Sequence, residues 1–181
     1  KWKGKIAHAD PVKSGSSFTA VVNMIMSKPT REEGFDLIKR FVQNLDGKLI
    51  SSSSGTFKGV SDGEYSVGIT YEQGALKYME SGADLKIVYP KDGNTLLTSG
   101  IAIIKGAKNM ENAQKFVDFL LSTETQTHIG DIYRRTVRTD LEEPKGMVPL
   151  NTLVPLEYDM DWAIANKENI TNKWKEFVVG Q

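Results

Sequence analysis

Ile6-Ala7-His8-Ala9, followed by Pro11-Val12-Lys13-Ser14-Gly15-Ser16-Ser17, sets an apolar run against a Ser/Gly turn. The run reads as a buried strand. Beyond the turn, Phe18, Val21, Val22 and Ile25 recur at the spacing of one helical face. A turn of this kind at the start of a helix leaves several backbone N–H groups without intrahelical partners, at the positive end of the helix dipole. It can receive an oxyanion through N–H and hydroxyl donors, with no basic side chain required.

Working outward, further short apolar runs predict strands at Lys48 to Ile50, Tyr65 to Thr70, Leu85 to Tyr89 and Gly100 to Ile104, with the first at Lys5 to Ala9. Most are apolar on both faces, as strands covered by helices on both sides are. Between them, Thr30-Arg31-Glu32-Glu33 forms a capping box ahead of Phe35, Ile38, Phe41, Val42 and Leu45, and Asp46-Gly47 ends that helix. A second helix is expected from near Asn109, and a third carries Ile170, Trp174 and Phe177. Strands alternating with helices give an α/β fold. The stretch from Arg134 to Pro155, with Pro144, Gly146 and Pro149 inside it, reads as irregular chain or a crossing between lobes.

The Ser/Gly device recurs. Ser51-Ser52-Ser53-Ser54-Gly55-Thr56 follows Leu49-Ile50 and precedes a short helical stretch from Phe57, and Thr70-Tyr71-Glu72 closes another predicted strand. Ligands of open α/β sheets bind outside the carboxyl ends of strands. Capping alone explains any one such turn; three at successive strand ends favour a binding edge.

Composition narrows the classes. Lys plus Arg and Asp plus Glu both total 23, so the formal net charge is zero, and nothing predicts a nucleic-acid surface. No apolar stretch reaches the ~18 residues of a membrane helix. No signal peptide is read, because no apolar run follows Lys1-Trp2-Lys3-Gly4-Lys5. With no cysteine and only His8 and His128, neither a thiolate nor a multi-histidine metal site is expected, and no cofactor is implied. Asp62, Glu64, Glu72 and Asp92 are available carboxylates, but neither a Gly-x-Ser-x-Gly elbow nor a P-loop occurs. His8 reads as a packed or hydrogen-bonded residue rather than a base. Arg134, Arg135 and Arg138 read as a salt-bridged surface loop near Asp131 and Asp140, and Trp2, Trp162 and Trp174 as packing residues.

Gly4-Lys5-Ile6-Ala7, Pro11 and Ser14-Gly15-Ser16-Ser17 together resemble the opening of the second lobe in periplasmic solute-binding proteins of ABC importers. The relatives meant are the ferric-ion, thiamine, phosphonate and sugar-phosphate binders. Asp62-Gly63-Glu64-Tyr65 through Thr70-Tyr71-Glu72 is similar to that family's second ligand strand and loop. Ile87 to Gly93, Ala102 to Asn109 and Phe116 to Ser122 resemble its return crossing.

The resemblance implies a type 2 periplasmic-binding-protein lobe, with a mixed, mostly parallel sheet flanked by helices, plus a partial second lobe. Residues 1–103 would form ligand-binding lobe two with 155–181 packed back on it, and 104–154 an incomplete C-terminal portion of lobe one. The chain is then expected to be the C-terminal part of a longer protein whose N-terminal lobe is missing. The exposed face of such a fragment is open to dimerisation.

Carried over residue by residue, Ser14, Gly15, Ser16 and Ser17 match the first anion cradle, and Ser53, Ser54 and Thr56 the second turn. Tyr71 and Glu72 match the loop that reaches the ligand. The ferric binders have a tyrosine pair just after this loop; here Gln73-Gly74 stands there, which argues against a ferric ion. The expected function is capture of a small solute bearing an oxyanion, a sugar phosphate or phosphonate, for a membrane permease. Its place is the periplasm or extracellular face, with a lipid anchor left open. A ferric-ion or thiamine binder of the same fold, or a phosphoryl- or acyl-transfer enzyme using the same turns, stands as the alternative.

Overall fold

A computed structural model of the chain describes residues 1–180. Its centre is the segment Lys5–Asp10, where Ile6, Ala7, His8 and Ala9 are all buried. Within it β1 (Ile6–Ala7) pairs in parallel with β2 (Val67–Gly68), Ile6 opposite Val67 and Ala7 opposite Gly68. On the other edge Ala9 bridges Ile50, again in parallel. There the Ile50 N–H donates to the His8 carbonyl at 3.1 Å and the Asp10 N–H to the Ile50 carbonyl at 2.9 Å. Parallel pairing cannot be closed by a hairpin, so each return must cross over, usually through helix. Helices α1 (Gly15–Met26) and α2 (Arg31–Leu45) make the crossing to Ile50, α3 (Ser53–Ser61) makes the crossing to β2, and α4 (Glu72–Glu80) follows β2.

The local chemistry explains the boundaries. Asp10 builds the turn into α1: its carboxylate accepts from the Val12 N–H at 3.0 Å, and its carbonyl from the N–H groups of Lys13 and Ser14. Thr30 caps α2, accepting from the Glu33 N–H at 3.2 Å as the capping box read from sequence requires, and the Glu33 carboxylate reaches back to accept from the Thr30 hydroxyl at 3.2 Å. Asp46 and Gly47 end α2 with φ of 55° and 72°, the left-handed conformation that stops a helix.

The apolar faces of α1 and α2 meet in a core of Val21, Val22, Ile25, Ile38, Val42 and Leu45. Ala163 of α7 (Met160–Ala165) and Ile170 and Trp174 of α8 (Lys167–Val179) complete it. Each such side chain contributes about 1.5–3 kcal/mol on full burial. Gly34 lets α2 approach α1 closely: a Cβ there would stand 2.5 Å from the Ile25 carbonyl oxygen.

The described residues divide into two compact units, 1–96 with 154–180, and 97–153. At the margin of the first, the Asn94 N–H donates to the Val154 carbonyl at 2.7 Å and the Leu156 N–H to the Asn94 carbonyl at 3.0 Å, so the outgoing and returning chain run side by side. The second unit holds α5 (Met110–Leu121), α6 (Thr123–Asp131) and a 3-10 turn at Leu150–Thr152. Its polar knot is the buried Gln126. The Gln126 amide donates to the Leu120 carbonyl at 2.8 Å and accepts from the Thr136 hydroxyl at 2.8 Å and the Val137 N–H at 3.0 Å. Arg138 pairs with Asp140 at 2.7 Å and Arg135 with Glu143 at 2.8 Å, as a salt-bridged surface loop should.

Several expectations change. The sheet is smaller than five strands, and every pairing among the described residues is parallel rather than mixed. Lys48 to Ile50 contributes a single bridge. Leu85 to Tyr89 alternates in burial as a strand would, but among the described residues no neighbouring strand completes a ladder with it. Gly100 to Ile104 is exposed chain, Ile104 at 82%. A strand's backbone groups need a partner strand, and apolar composition does not supply one. Helices α4, α6 and α7 go beyond what periodicity predicts. Trp2 lies on the surface, with Lys1 over its ring, whereas Trp162 packs against the core, partly buried, with Arg31 over its ring at 4.7 Å.

Gly34→Ala raises helix propensity yet drives a methyl group into backbone. It is expected to lower stability by about 2 kcal/mol in urea unfolding; a gain in stability would show that α1 and α2 are not this close.

Candidate functional site

The three parallel segments carry the chain to one edge, and each turns there into a helix. Neighbouring strands lie about 4.8 Å apart, so the three departures span about 10 Å. At the first, Ser14 caps α1, its hydroxyl accepting from the Ser17 N–H at 3.4 Å and lying 3.2 Å from the Ser16 hydroxyl. Among the described residues, no partner within the chain takes the amides of Gly15 and Ser16. A Cβ at Gly15 would meet nothing within 4 Å, so there is open space beside the first residue of α1. At the second departure, Ser52 caps α3, accepting from the Gly55 N–H at 3.4 Å, with the Ser54 hydroxyl 3.0 Å away. At the third, Tyr71 precedes α4 with no side-chain cap, and its half-exposed ring meets Phe57 of α3 edge-on at 5.1 Å. The Tyr89 hydroxyl donates to the Glu72 carboxylate, in the first turn of α4 where a negative charge complements the helix dipole.

Ser14, Gly15, Ser16, Ser53, Ser54, Tyr71 and Glu72 thus all stand at the strand-end edge. Ser17 and Thr56 do not present their side chains there. Ser17 shares the buried face of Val21 and Ile25, each one helical turn further on, and its hydroxyl is used inside. Thr56 is 1% exposed, on the inner face of α3 against Gly68, and its Oγ1 has no hydrogen-bond partner among the described residues. Sequence reasoning starts α3 too late, at Phe57. Four serines in a row offer no way to tell which one caps, and the structure selects Ser52. Tyr89 also escapes it, because the pairing with Glu72 spans 17 residues and leaves no local pattern.

Behind the edge lies His8, fully buried. Its ring meets Phe41 edge-on at 5.1 Å and Trp174 at 5.8 Å. Nε2 is 2.8 Å from the Ser17 hydroxyl, and that hydroxyl donates to the Ala9 carbonyl. With the serine proton directed to Ala9, the neutral ring donates from Nε2. Nδ1 then faces the Ile69 carbonyl oxygen at 3.3 Å, a contact that becomes a hydrogen bond only when the ring takes a second proton. Burial opposes that proton most strongly; the Ile69 carbonyl and Asp10 favour it, and the balance lowers the pKa from 6.5 to about 4. His8 is a packed and hydrogen-bonded residue, neutral at pH 7.

The sequence profile of the family described as bacterial extracellular solute-binding protein matches residues 1–153. A Haemophilus influenzae protein without an assigned role is 28% identical over 97% of this chain and 52% of its own length. A Salmonella typhimurium protein named as a putative 2-aminoethylphosphonate-binding periplasmic protein is 26% identical over 78% of this chain and 43% of its own. Among solved structures, the periplasmic binding protein AfuA from Actinobacillus pleuropneumoniae, with exogenous fructose 6-phosphate bound, superposes with a TM-score of 0.83. It is 29% identical over 98% of this chain and 56% of that one. The chain spans about half the length of the curated relatives it matches.

The low pKa of His8 has a measurable consequence. The unfolded ring takes up a proton near 6.5 and the folded ring only near 4. The stability it contributes is therefore complete above pH 6.5 and is lost as pH falls toward 4. Between pH 7 and pH 5 the unmodified chain should lose about 2 kcal/mol more in urea unfolding than His8→Gln. Parallel pH profiles for the two would mean that the ring titrates normally in the folded state.

Proposed function

We propose, for a chain that belongs to the bacterial extracellular solute-binding protein family, the role of substrate-binding component of an ABC importer that captures a small oxyanion-bearing solute. The observation that carries this reading is the alignment of three helix N-termini along one edge of parallel chain, with the Gly15 and Ser16 amides not taken by a partner among the described residues and open space beside Gly15. Fructose 6-phosphate, bound in the AfuA structure, and 2-aminoethylphosphonate, after which the Salmonella relative is named, share a phosphorus oxyanion and little else. That shared group is what the first turns of α1 and α3 are suited to receive. Sugar phosphates and phosphonates are the solute classes proposed.

In this reading Ser14, Gly15, Ser16, Ser53 and Ser54 hold the oxyanion, and Tyr71 and Glu72 meet the rest of the solute, Glu72 accepting from a hydroxyl or ammonium group. Hydrogen bonds to a charged group contribute about 1.5–3 kcal/mol each. A few of them approach the ~8 kcal/mol of a micromolar complex. A ferric ion would want several anionic oxygen ligands, and Gln73-Gly74 supplies none where the ferric binders carry tyrosines.

Residues 1–103 with 155–181 would form one lobe, and 104–154 part of another, completed by chain beyond these 181 residues. That further chain supplies the opposite wall of the cleft and covers apolar side chains such as Phe116 and Phe119 of α5, which are more than half exposed. The protein works outside the cytoplasmic membrane. The solute is captured unchanged, the lobes close over it by a hinge, and the closed form is presented to a permease.

In the intact protein, Ser14→Ala combined with Ser16→Ala should weaken binding of fructose 6-phosphate or 2-aminoethylphosphonate by more than about tenfold in calorimetry, the equivalent of one lost charged hydrogen bond. Unchanged affinity would remove the first turn from the site. A visible absorption band appearing on addition of ferric ion would favour the iron-binding alternative.

A further inference from the structure

An imidazole between Phe41 and Trp174, beside a core of apolar side chains, calls for a physical reason. Packing alone does not ask for one. A leucine would fill much of the volume without burying two polar nitrogens, and a buried polar group costs stability unless its hydrogen bond is made. The bond that His8 makes is to Ser17, at 2.8 Å, in the first turn of α1. Ser17 in turn donates to the Ala9 carbonyl. Ring N–H to hydroxyl to carbonyl is a relay that fastens the start of α1 to two consecutive residues of the central segment.

The relay continues outward. The Ser17 amide is held by the Ser14 hydroxyl at 3.4 Å, and Ser14 lies 3.2 Å from Ser16. One turn of helix therefore joins the buried ring to the amides of Gly15 and Ser16. The ring cannot shift to relax the connection, because Phe41 of α2 and Trp174 of α8 hold it from the core side. Hydrogen bonds weaken steeply once distance or angle departs from a narrow range, so the aim of those amides matters to any anion they bind.

We propose that His8 is a positioning residue for the anion cradle: through Ser17 it sets the place of the first turn of α1 against the end of the central segment, and so the aim of the Gly15 and Ser16 amides. This inference rests on the reading of that turn as an anion contact. His8 itself, fully buried, does not touch the solute.

The test compares affinities of the intact protein for fructose 6-phosphate and inorganic phosphate, by calorimetry, in three variants that remain folded. His8→Leu keeps bulk but cannot donate, and should weaken binding about tenfold. His8→Gln carries an amide N–H that can reach the hydroxyl, and should stay within about threefold of the unmodified protein. Val22→Ala destabilises the same core without a hydrogen bond to the turn, and should leave affinity unchanged. Should His8→Leu fail to fold, Ser17→Ala cuts the relay from the helix side and is expected to show the same loss.

Equal losses in His8→Gln and His8→Leu, or a loss in Val22→Ala matching that in His8→Leu, would make the effect one of packing and overturn the proposal. Full affinity in His8→Leu or in Ser17→Ala would also overturn it. The Ser14→Ala, Ser16→Ala pair separates the two readings. If the pair binds as tightly as the unmodified protein, or neither probe binds at all, the cradle reading fails and this role falls with it. If the pair loses affinity and His8→Leu does not, only the positioning role fails.

Discussion

Parallel pairing on both edges of the segment Lys5–Asp10 is the constraint from which the rest of the first unit follows. A chain that returns in parallel must cross over, and α1 with α2, then α3, supply the crossings. The apolar faces of those helices must then be covered, and α8 returns to do so with Ile170 and Trp174. The same pairing points every segment's carboxyl end one way. The N-termini of α1, α3 and α4 consequently share an edge, and their dipole ends face a common side. A binding edge is thus a by-product of topology.

His8 couples the two consequences. It stands at the end of the central segment, contacts α2 and α8 through Phe41 and Trp174, and reaches α1 through Ser17. Core packing and the geometry of the edge meet in one side chain. Its neutrality follows from the same position, since a ring excluded from water resists a second proton even with the Ile69 carbonyl and Asp10 nearby. The placement of Ser17 has the same origin. A residue one turn before Val21 on an amphipathic helix belongs to the core, whatever its hydroxyl suggests.

The second unit behaves differently. Its order comes from capping and polar knots, Ser122 at the start of α6 and the buried Gln126 within it, more than from buried apolar surface. Helix α5 has a clear apolar stripe but no fully buried residue. Its periodicity is legible in the sequence, whereas the surface it would cover is not. Leu85 to Tyr89 and Gly100 to Ile104 teach the same point: β-like composition is a property of one segment, and a strand is a property of two.

What the sequence by itself determined was local. The helix α2 with its capping box and its Asp46-Gly47 stop, the Ser/Gly turns at strand ends and the α/β alternation are all written within spans of a few residues, where hydrogen bonds and side-chain periodicity act directly. What only the tertiary structure decided was orientation and partnership. It chose Ser52 rather than its neighbours as the cap of α3, turned Ser17 and Thr56 inward, joined Tyr89 to Glu72, and placed an imidazole where it could hold a helix start. Those outcomes depend on which groups are brought within about 3 Å of one another by the fold, such as Tyr89 and Glu72 across 17 residues, and a hydrogen bond of that kind leaves no trace in sequence spacing.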